Sequence, residues 1–436
     1  MNFTNRTNCT NFTSLIKRQA AFKVSIIPDE EQGKEVRMAV QIAYVAEGKL
    51  YVKRGERAPQ MIESTFAQNM IDRAAQLADR HGWRSREEED GGFFTHGTIW
   101  GKAALRQQDV RQIRITGLSK MPKDGSLLYS LDMGAVGGLF TYDLAEQYEN
   151  RLFHRQEFRA SDLSHHPVKS LVALSLPRED GTAAIALMEP GGKGLRPITE
   201  GDSLDQAPSW GREQDRDVLV YQSAGIGRNN YGHSVALGPY AICKLDLDRE
   251  TLTTVMEDGR WDYLVPREWV ADGGKQTYLY YIRRPYKATG HGSYSPLKLL
   301  VDILLFPFRL LRAIFFFLNF FSVMFTRKPL TTAGGPKTDP KDTRFMMLHG
   351  KWIDAEKAMK AAAKGKPVPL VPESWELMRM DESGKSQSLA GGVLSFDLAA
   401  DGTVVYTNGS EIYVIGQDGK SERVCAHRMI QQVIAI

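Results

Sequence analysis

The sequence predicts an all-β fold built from repeated sheets, and three observations carry this prediction. A pattern of an apolar, Tyr-containing strand, a turn and a second strand ending near Asp-Gly returns about five times, most clearly in residues 396–419. The Asp-Gly and Gly-Gly pairs stand where tight hairpin turns need a positive φ. A four-stranded meander leaves its faces uncovered, and stacking such sheets around an axis buries them. The prediction is therefore a six-bladed β-propeller of four-stranded antiparallel blades, closed by the C-terminal strand and carrying helical insertions.

Each unit is predicted from short apolar or alternating segments bounded by Gly, Pro, Asn or Asp. The sixth unit begins at Val393 and contains the clearest copy of the repeat. The segments of the other five units are 42–45, 50–52 and 60–62; then 115–125, 127–130, 139–144 and 151–153; then 162–167, 171–175, 184–188 and 195–199; then 206–210, 218–223, 240–246 and 253–256; then 265–269, 277–281, 376–381 and 387–389.

The first unit lacks an innermost strand, and the apolar segment 430–436 at the C-terminus belongs to no unit. We predict that this segment supplies the missing strand. The two ends of the repeat would then latch the ring, and removal of the segment would open it.

The repeat order resembles that of the TolB-type six-bladed propellers, and also the propeller domain of prolyl-oligopeptidase-like proteins. Pro208-Ser209-Trp210 and the segment Leu-Arg-Pro-Ile-Thr at 195–199 carry the resemblance best. It covers about 270 residues. It implies a solvent channel, a rim that binds partners, and a bacterial source. No Gly-x-Ser-x-Gly nucleophile motif occurs, so the hydrolase half of the oligopeptidase resemblance is missing.

Composition bounds the remaining possibilities. The chain has 436 residues and a net charge of only +4, which argues against a nucleic-acid partner. Cys9, Cys243 and Cys425 have no short spacing, so neither a disulfide framework nor a metal site is expected, and no cofactor is predicted.

We expect two regions, a disordered or non-native extension at 1–37 and a single propeller domain at 38–436. The extension has Asn-x-Thr sequons at Asn2, Asn5, Asn8 and Asn11, which are typical of either a glycosylated tail or a low-complexity segment. Residues 1–18 contain no apolar run of the kind a signal peptide needs.

Two insertions interrupt the repeat. In the first, 64–112, apolar residues at helical spacing predict an amphipathic helix capped by Ser64 or Thr65. After the second, the Ala- and Lys-rich segment 351–364 predicts a short surface helix.

The second insertion, 294–330, predicts a membrane-binding amphipathic segment. Lys298, Asp302, Arg309 and Arg312 fall within roughly an 80° arc of a helical wheel whose remainder is apolar. The charge-free part is shorter than the about 20 residues that a span needs. We therefore expect an in-plane helix or a re-entrant hairpin, and a buried helix in an oligomer interface is the alternative. The residues predicted to bind the membrane are Leu297, Lys298, Leu300, Ile303, Phe306, Phe308, Arg309, Arg312, Phe315, Phe316, Phe317, Phe320, Phe321 and Phe325.

Six polar residues are candidates for the channel mouth. His165 and His166 stand where an inner strand is predicted to end, and Asp205, Asp262 and Asp397 are predicted to precede inner strands; His233 belongs to a Gly-rich loop. With Asp162 as the one further local ligand, the His pair falls short of a metal site. The three carboxylates could ring the channel, but caps on turns are the favoured interpretation.

The function predicted from these features is a non-enzymatic scaffold at a membrane surface. It would bind a protein partner as an accessory subunit of a membrane assembly. We expect peripheral or monotopic association with the cytoplasmic face of the membrane through the second insertion. Two alternatives stay open: a hydrolase or lyase with its site at the channel mouth, and a periplasmic TolB-like module.

Overall fold

The computed structural model describes residues 40–82, 113–121, 125–134, 136–213, 216–271, 276–287, 345–348, 351–354, 368–416 and 418–436. Nearly all of this part of the chain that forms regular structure is β, with a single α-helix. Its strands form four four-stranded sheets, one nine-stranded sheet and one two-stranded hairpin. Apart from the hairpin, they lie at the positions of the six units of the sequence repeat, with the third and fourth units joined in the nine-stranded sheet. Within each unit, neighbouring strands run antiparallel.

The first three units use strands β1 to β11 and a C-terminal strand described below. Each strand pairs with the next one along the chain, as expected of a meander. The strands are β1 (Ile42–Ala46), β2 (Lys49–Lys53) and β3 (Gln60–Ile62) in the first unit; β4 (Arg114–Lys120), β5 (Leu127–Asp132), β6 (Val136–Asp143) and β7 (Tyr148–Gln156) in the second; β8 (Ser161–His165), β9 (Val172–Pro177), β10 (Ala183–Met188) and β11 (Arg196–Pro197) in the third.

The last three units repeat this order, and the two inner strands of the fourth and fifth units are longer, at 10 to 13 residues. A single parallel bridge between Ala183 and Leu204 joins the third unit to the fourth. The strands are β12 (Ser203–Glu213), β13 (Arg216–Arg228), β15 (Ala241–Asp246) and β16 (Thr251–Met256) in the fourth unit, with β14 (Ser234–Leu237) on the far end of β13; β17 (Trp261–Ala271), β18 (Gln276–Pro285), β21 (Glu376–Met380) and β22 (Ser386–Ala390) in the fifth; β23 (Ser395–Leu398), β24 (Val404–Thr407), β25 (Glu411–Ile415) and β26 (Ser421–Ala426) in the sixth.

A separate hairpin corrects one prediction. β19 (Phe345–Leu348) pairs antiparallel with β20 (Lys351–Asp354), so the segment predicted as a surface helix from residue 351 begins as a strand. Trp352 and Ile353 explain the difference, since aromatic and β-branched residues favour strands over helices. The rest of that predicted helix lies outside the described residues.

The C-terminal strand β27 (Ile430–Ala435) pairs antiparallel with β1, with Ile42 opposite Ala435 and Ala46 opposite Ile430. It thus occupies the place predicted for the missing innermost strand of the first unit. The pairing extends beyond the strand, because the Ile436 amide donates to the Gln41 carbonyl at 2.9 Å.

Six apolar clusters lie between successive units. Side chains that alternate along one strand enter different clusters: Leu128 packs towards the third unit, whereas Leu127 and Tyr129 pack towards the first. The same alternation places Val405 in the cluster between the sixth and first units and Val404 in the cluster between the fifth and sixth. Each unit therefore has two buried faces, which explains why its central strands read as continuous apolar runs.

The innermost strands also contact one another in sequence. β4 lies against β8, β8 against β12, β12 against β17, and β17 against β23. The C-terminal strand β27 contacts both β23 and β4. These contacts place the innermost strands of successive units side by side.

The helix α1 (Thr65–Gly82) follows the first unit, as predicted. Ser64 caps it, because its Oγ accepts the Ala67 amide at 3.1 Å. A second acceptor comes from the second unit, where Glu149 Oε2 accepts the Phe66 amide at 3.0 Å and the Thr65 hydroxyl at 2.5 Å. A carboxylate at a helix N-terminus is also favoured by the helix dipole. Residues 83–112 of this insertion lie outside the described part.

Candidate functional site

The innermost strands enclose a cavity of about 350 Å³. Every unit contributes to its wall, so its shape depends on all of them. Its principal polar lining residues are Arg114, Thr116, Ser161, Asp162, Gln206, Arg267, Ser395, Gln431 and Gln432.

Local breaks in strand register face this cavity. Asp162, Ala207 and Val265 have left-handed φ values of 51°, 52° and 50°, and each lies at a bulge in its inner strand. Such a bulge leaves one residue unpaired and turns the strand. Proline follows two of these residues, at Pro208 and Pro266. A β-branched residue with a positive φ is unusual, so the surrounding structure must hold Val265 in place.

Side chains from neighbouring strands accept hydrogen bonds from the backbone amides that the bulges leave unpaired. Asp162 of the third unit accepts the amide of Ala207 in the fourth. The Oε1 atom of Gln222, a fully buried side chain, accepts the Val265 amide at 2.8 Å. These bonds satisfy buried polar groups and also join successive units.

Arg267, which lines the cavity, belongs to a cluster of oppositely charged side chains that continues behind the wall. Arg267 Nε lies 3.9 Å from Asp397 Oδ1, and Lys120 Nζ lies 3.9 Å from Asp397 Oδ2. Lys120 also donates to the carbonyls of Leu398 at 3.0 Å and Ala435 at 3.4 Å. One lysine of the second unit thus contacts the sixth unit and the C-terminal strand.

Both Asp162 and Arg267 have little access to water, even though each keeps some surface towards the cavity. Burial raises the pKa of Asp162, against the lowering effect of hydrogen bonds from Ser161 and the Ala207 amide. Burial likewise lowers the pKa of Arg267, and the charges of Asp397 and Asp162 oppose that shift. The cavity can therefore hold a small polar group by hydrogen bonds, while its charges are largely balanced among themselves.

The two predicted histidines shape a turn beside the third unit. His166 is buried; its Nδ1 accepts the amides of Val168 and Lys169 at 3.0 and 2.8 Å. Its Nε2 therefore carries the proton, and it donates to Asp217 Oδ2 at 3.1 Å. His165 lies at the end of β8, and its Nδ1 donates to the His166 carbonyl at 2.7 Å.

Asp205 and Asp262 lie within inner strands rather than before them, and both are buried. Asp205 Oδ1 accepts the Ser223 hydroxyl at 2.6 Å. Asp262 accepts the Tyr240 amide at 3.0 Å through Oδ1 and Arg284 Nε at 2.7 Å through Oδ2. In each case the side-chain partner stands directly opposite in the hairpin, so these carboxylates join paired strands.

The other two candidates differ in position. Asp397 also lies within an inner strand, where its Oδ2 accepts the Ala435 amide at 3.0 Å. His233 lies in the exposed loop before β14, and its amide donates to Asn229 Oδ1 at 3.0 Å. In the described part of the chain, none of the six candidates lies in the wall of the cavity. Asp397 lies 3.9 Å from Arg267, which does line it.

Three further residues, Lys120, Arg267 and Gln222, were not among those predicted from the sequence. A usable signal was present for Arg267, because it follows a Val-Pro pair inside a predicted inner strand, where proline marks a bulge. Lys120 and Gln222 carry no local signal, since their partners lie in other units.

The predicted membrane-binding residues, Leu297 through Phe325, lie outside the described residues. Within the described part, no helix is long and apolar enough to cross a bilayer. The same part contains no group of three or more His, Cys, Asp or Glu side chains arranged to hold a metal ion.

Comparison with known proteins gives structural matches alone. No family model and no curated protein matches the sequence. The crystal structure of TolB from Acinetobacter baumannii is similar with a TM-score of 0.46 and 10% identity, covering 91% of this chain and 66% of that one. The nidogen/laminin complex gives a TM-score of 0.45 and 8% identity, covering 91% of this chain and 98% of that one.

A structure of prolyl endopeptidase is also similar, with a TM-score of 0.36 and 8% identity over 88% of this chain and 49% of that one. TolB and prolyl endopeptidase are the kinds of protein that the sequence repeat resembles, so that resemblance is confirmed. Because these TM-scores lie below 0.5, the architecture rests on the strand pairings and apolar clusters described above.

Proposed function

We propose that this chain is a six-bladed β-propeller that acts as a non-catalytic scaffold, associates with a membrane surface and binds a protein partner. One observation supports the proposed scaffold. The inner strands of successive units contact one another in an order that returns to its start. β27 contacts both β23 of the sixth unit and β4 of the second, while it pairs with β1 of the first.

The apolar clusters support the same closed ring. Each pair of successive units shares one cluster, and the sixth unit shares one with the first. A ring of this kind has no end sheet with an uncovered face. Its blades are fixed by burial on both sides, which suits a frame that presents surfaces to a partner.

The contacts of the candidate residues favour a scaffold over a catalyst. His166 ties a turn to Asp217, and Asp262 ties Arg284 to the Tyr240 amide. An acid–base catalyst needs a group that is free to exchange a proton with a substrate. These side chains instead complete hydrogen bonds between strands and turns.

Membrane association is supported by sequence composition. The segment 297–325 combines many Phe and Leu residues with a narrow stripe formed by Lys298, Arg309 and Arg312. Crossing the bilayer with both arginines at its centre would cost about 2.5–3.5 kcal/mol for each. An interfacial position keeps these side chains at the headgroups and buries the apolar face.

The test of this proposal is co-sedimentation with phosphatidylcholine vesicles that contain phosphatidylglycerol. The intact chain should pellet with them. A chain in which 297–325 is replaced by a Gly/Ser linker of equal length should keep its unfolding transition and stay in the supernatant. A second control, with Lys298, Arg309 and Arg312 changed to Gln, should bind anionic vesicles more weakly and lose its salt dependence. An intact, folded chain that stays in the supernatant would overturn the membrane proposal.

A further inference from the structure

The outer strands of the six units differ in how their open edges are protected. β7 contains Glu149, Arg151 and Arg155, and β26 contains Glu422 and Arg423; β3 and β11 have only three and two residues. β22 is uncharged, but the side chains it exposes are Ser and Gln. Charge and short length are the usual protection of an open sheet edge.

β16 has neither form of protection. It is a six-residue strand, Thr-Leu-Thr-Thr-Val-Met, at the end of its sheet, and its first five residues are exposed. Leu252 and Val255 are apolar and expose 59% and 36% of their surface. An edge of this kind presents unpaired amides and carbonyls that can accept another strand.

A cavity of about 740 Å³ opens beside this edge, between the fourth and fifth units. Val255 of β16 lies in its wall together with Val270, Leu279 and Met380 of the fifth unit. Val270 is exposed by 41%. The apolar surface of the edge therefore continues into the cavity, which we call the edge groove.

The edge groove carries an excess of negative charge. Four carboxylates line it, from Glu213, Glu268, Asp381 and Glu382, against two basic side chains, Arg212 and Lys244. Lys244 is already engaged, since its Nζ lies 2.9 Å from Glu268 Oε1 and 3.3 Å from Glu213 Oε2. A ligand that brings positive charge would complement this wall.

One of these carboxylates, Glu268, is buried and only partly paired. Its side chain is only 6% exposed, and its Oε2 is a buried atom with no hydrogen-bond partner in the described part of the chain. It reaches across to Gly211, where an added Cβ would lie 2.0 Å from that oxygen. The absence of a side chain at Gly211 therefore leaves room for the Glu268 carboxylate. Lys244 pairs with only one of its two oxygens, and leaving the other as a buried acceptor without a hydrogen bond costs stability.

We propose that the edge groove binds an extended segment of a partner protein, which adds to β16 as a further strand. Its inward side chains alternate between apolar residues, which contact Val255 and Val270, and Lys or Arg residues, which pair with the carboxylates. This inference rests on the proposed scaffold function and names the class of partner.

The probe is a fluorescent, capped nine-residue peptide with Thr at odd positions and Val, Lys, Val and Lys at even positions. Fluorescence anisotropy with the full chain should show saturable binding that weakens with salt. A peptide with Glu in place of both Lys should bind about tenfold more weakly or not at all. Val255→Lys should weaken binding of the Lys peptide by about tenfold, because it adds like charge to the edge.

Val235→Lys is the matched control. Val235 lies on β14, another uncharged edge strand, is 54% exposed, and does not line the edge groove. Binding should be unchanged in this variant. Equal losses in the two variants, or equal binding of the Lys and Glu peptides, would overturn the proposal.

Self-association is a competing occupant of the same edge. Sedimentation velocity that shows dimers for the intact chain and monomers for Val255→Lys, with no binding of the Lys peptide, would assign the edge to a second copy and overturn the proposal. The vesicle experiment tests the segment 297–325 and does not involve Val255. Failure of the peptide experiment is therefore distinguishable from failure of the membrane scaffold.

Discussion

The contact between the sixth and first units differs from the contact between the fourth and fifth. The first of these, which we call the closing seam, is mostly apolar: Tyr44, Val405, Ile412 and Val433 pack together there. The second, the charged seam, contains Asp262 and Arg284 beside Tyr240, and Lys244 beside Glu268.

The difference follows from chain connectivity. The units of the charged seam follow one another directly, so covalent connection already holds them close. The closing seam joins β1 to strands from the opposite end of the domain. Although β27 follows β26 directly in the chain, only noncovalent contacts hold β1 against these strands. Apolar burial and strand pairing supply that attraction without the desolvation cost that buried charges carry.

The largest expected effect is at the closing seam. Deletion of residues 430–436 removes every pairing of β27 with β1, together with the buried side chains of Ile430 and Val433. It also exposes apolar side chains that these two cover, among them Ile42 and Tyr44. At about 1.5–3 kcal/mol for each large apolar side chain, the loss should exceed about 5 kcal/mol, close to the whole stability of a typical domain. Circular dichroism during urea unfolding should show no cooperative transition. A shortened chain that unfolds like the intact protein would mean that the closing seam does not hold the fold.

The next effect is at the charged seam. Arg284 donates to Asp262 and lies 4.6 Å above the Trp375 ring, with only 3% of its surface exposed. Arg284→Ala should cost about 3–5 kcal/mol, because Asp262 would keep a buried charge without its partner. Equilibrium urea unfolding measures this loss.

Arg260→Ala is the matched control for that measurement. Arg260 pairs with Asp258 at 3.0 Å but is 83% exposed on its side chain, so water replaces the lost contact and the midpoint should hardly move. Equal shifts in the two variants would contradict the view that burial distinguishes the pairs.

The seam between the first and second units should give the smallest effect, and one that depends on pH. Burial raises the pKa of Glu149, but hydrogen bonds from Ser64, Thr65, Tyr129 and the Phe66 amide outweigh it and hold the pKa below its usual value. The ionised carboxylate therefore stabilises the fold at neutral pH, and this contribution disappears as the pH falls through the lowered pKa. Glu149→Gln should cost about 1–2 kcal/mol at neutral pH, allowing for solvent screening.

Unfolding free energies at neutral and acid pH test this expectation. The difference between the intact protein and Glu149→Gln should shrink as the carboxylate becomes protonated. Glu146→Gln, in the exposed loop before β7, should show no such convergence. A Glu149 difference that stays constant with pH would indicate that the side chain acts through packing and not through its charge.

The sequence predicted strand order well because the signals are local. Apolar runs and Asp-Gly turns fall within each unit, so the strands of all six units and the N-cap at Ser64 could be placed. The pairing of β27 with β1 was also predictable, since one unit lacked a strand and one apolar segment lacked a unit. The hairpin at Phe345–Leu348 was missed because Ala and Lys in the segment that follows outweighed Trp352 and Ile353.

Side-chain roles were harder to predict, because their partners are distant in sequence. The contact between His166 and Asp217 joins the third unit to the fourth, and no local sequence pattern predicts it. The pair formed by Asp262 and Arg284 is an exception, because it was predictable from the sequence. They stand opposite each other in a hairpin, so extending the predicted register would have paired them.

The position of Ile436 has a mechanical consequence. Its amide is bonded to the Gln41 carbonyl, and β1 and β27 run antiparallel from that point. Force applied at residues 41 and 436 would therefore pull the two strands apart from one end, and their hydrogen bonds would break one after another. The pairing of these two strands should therefore open at low force when it is pulled at this point, whereas force applied along the strands in opposite directions would load many bonds at once.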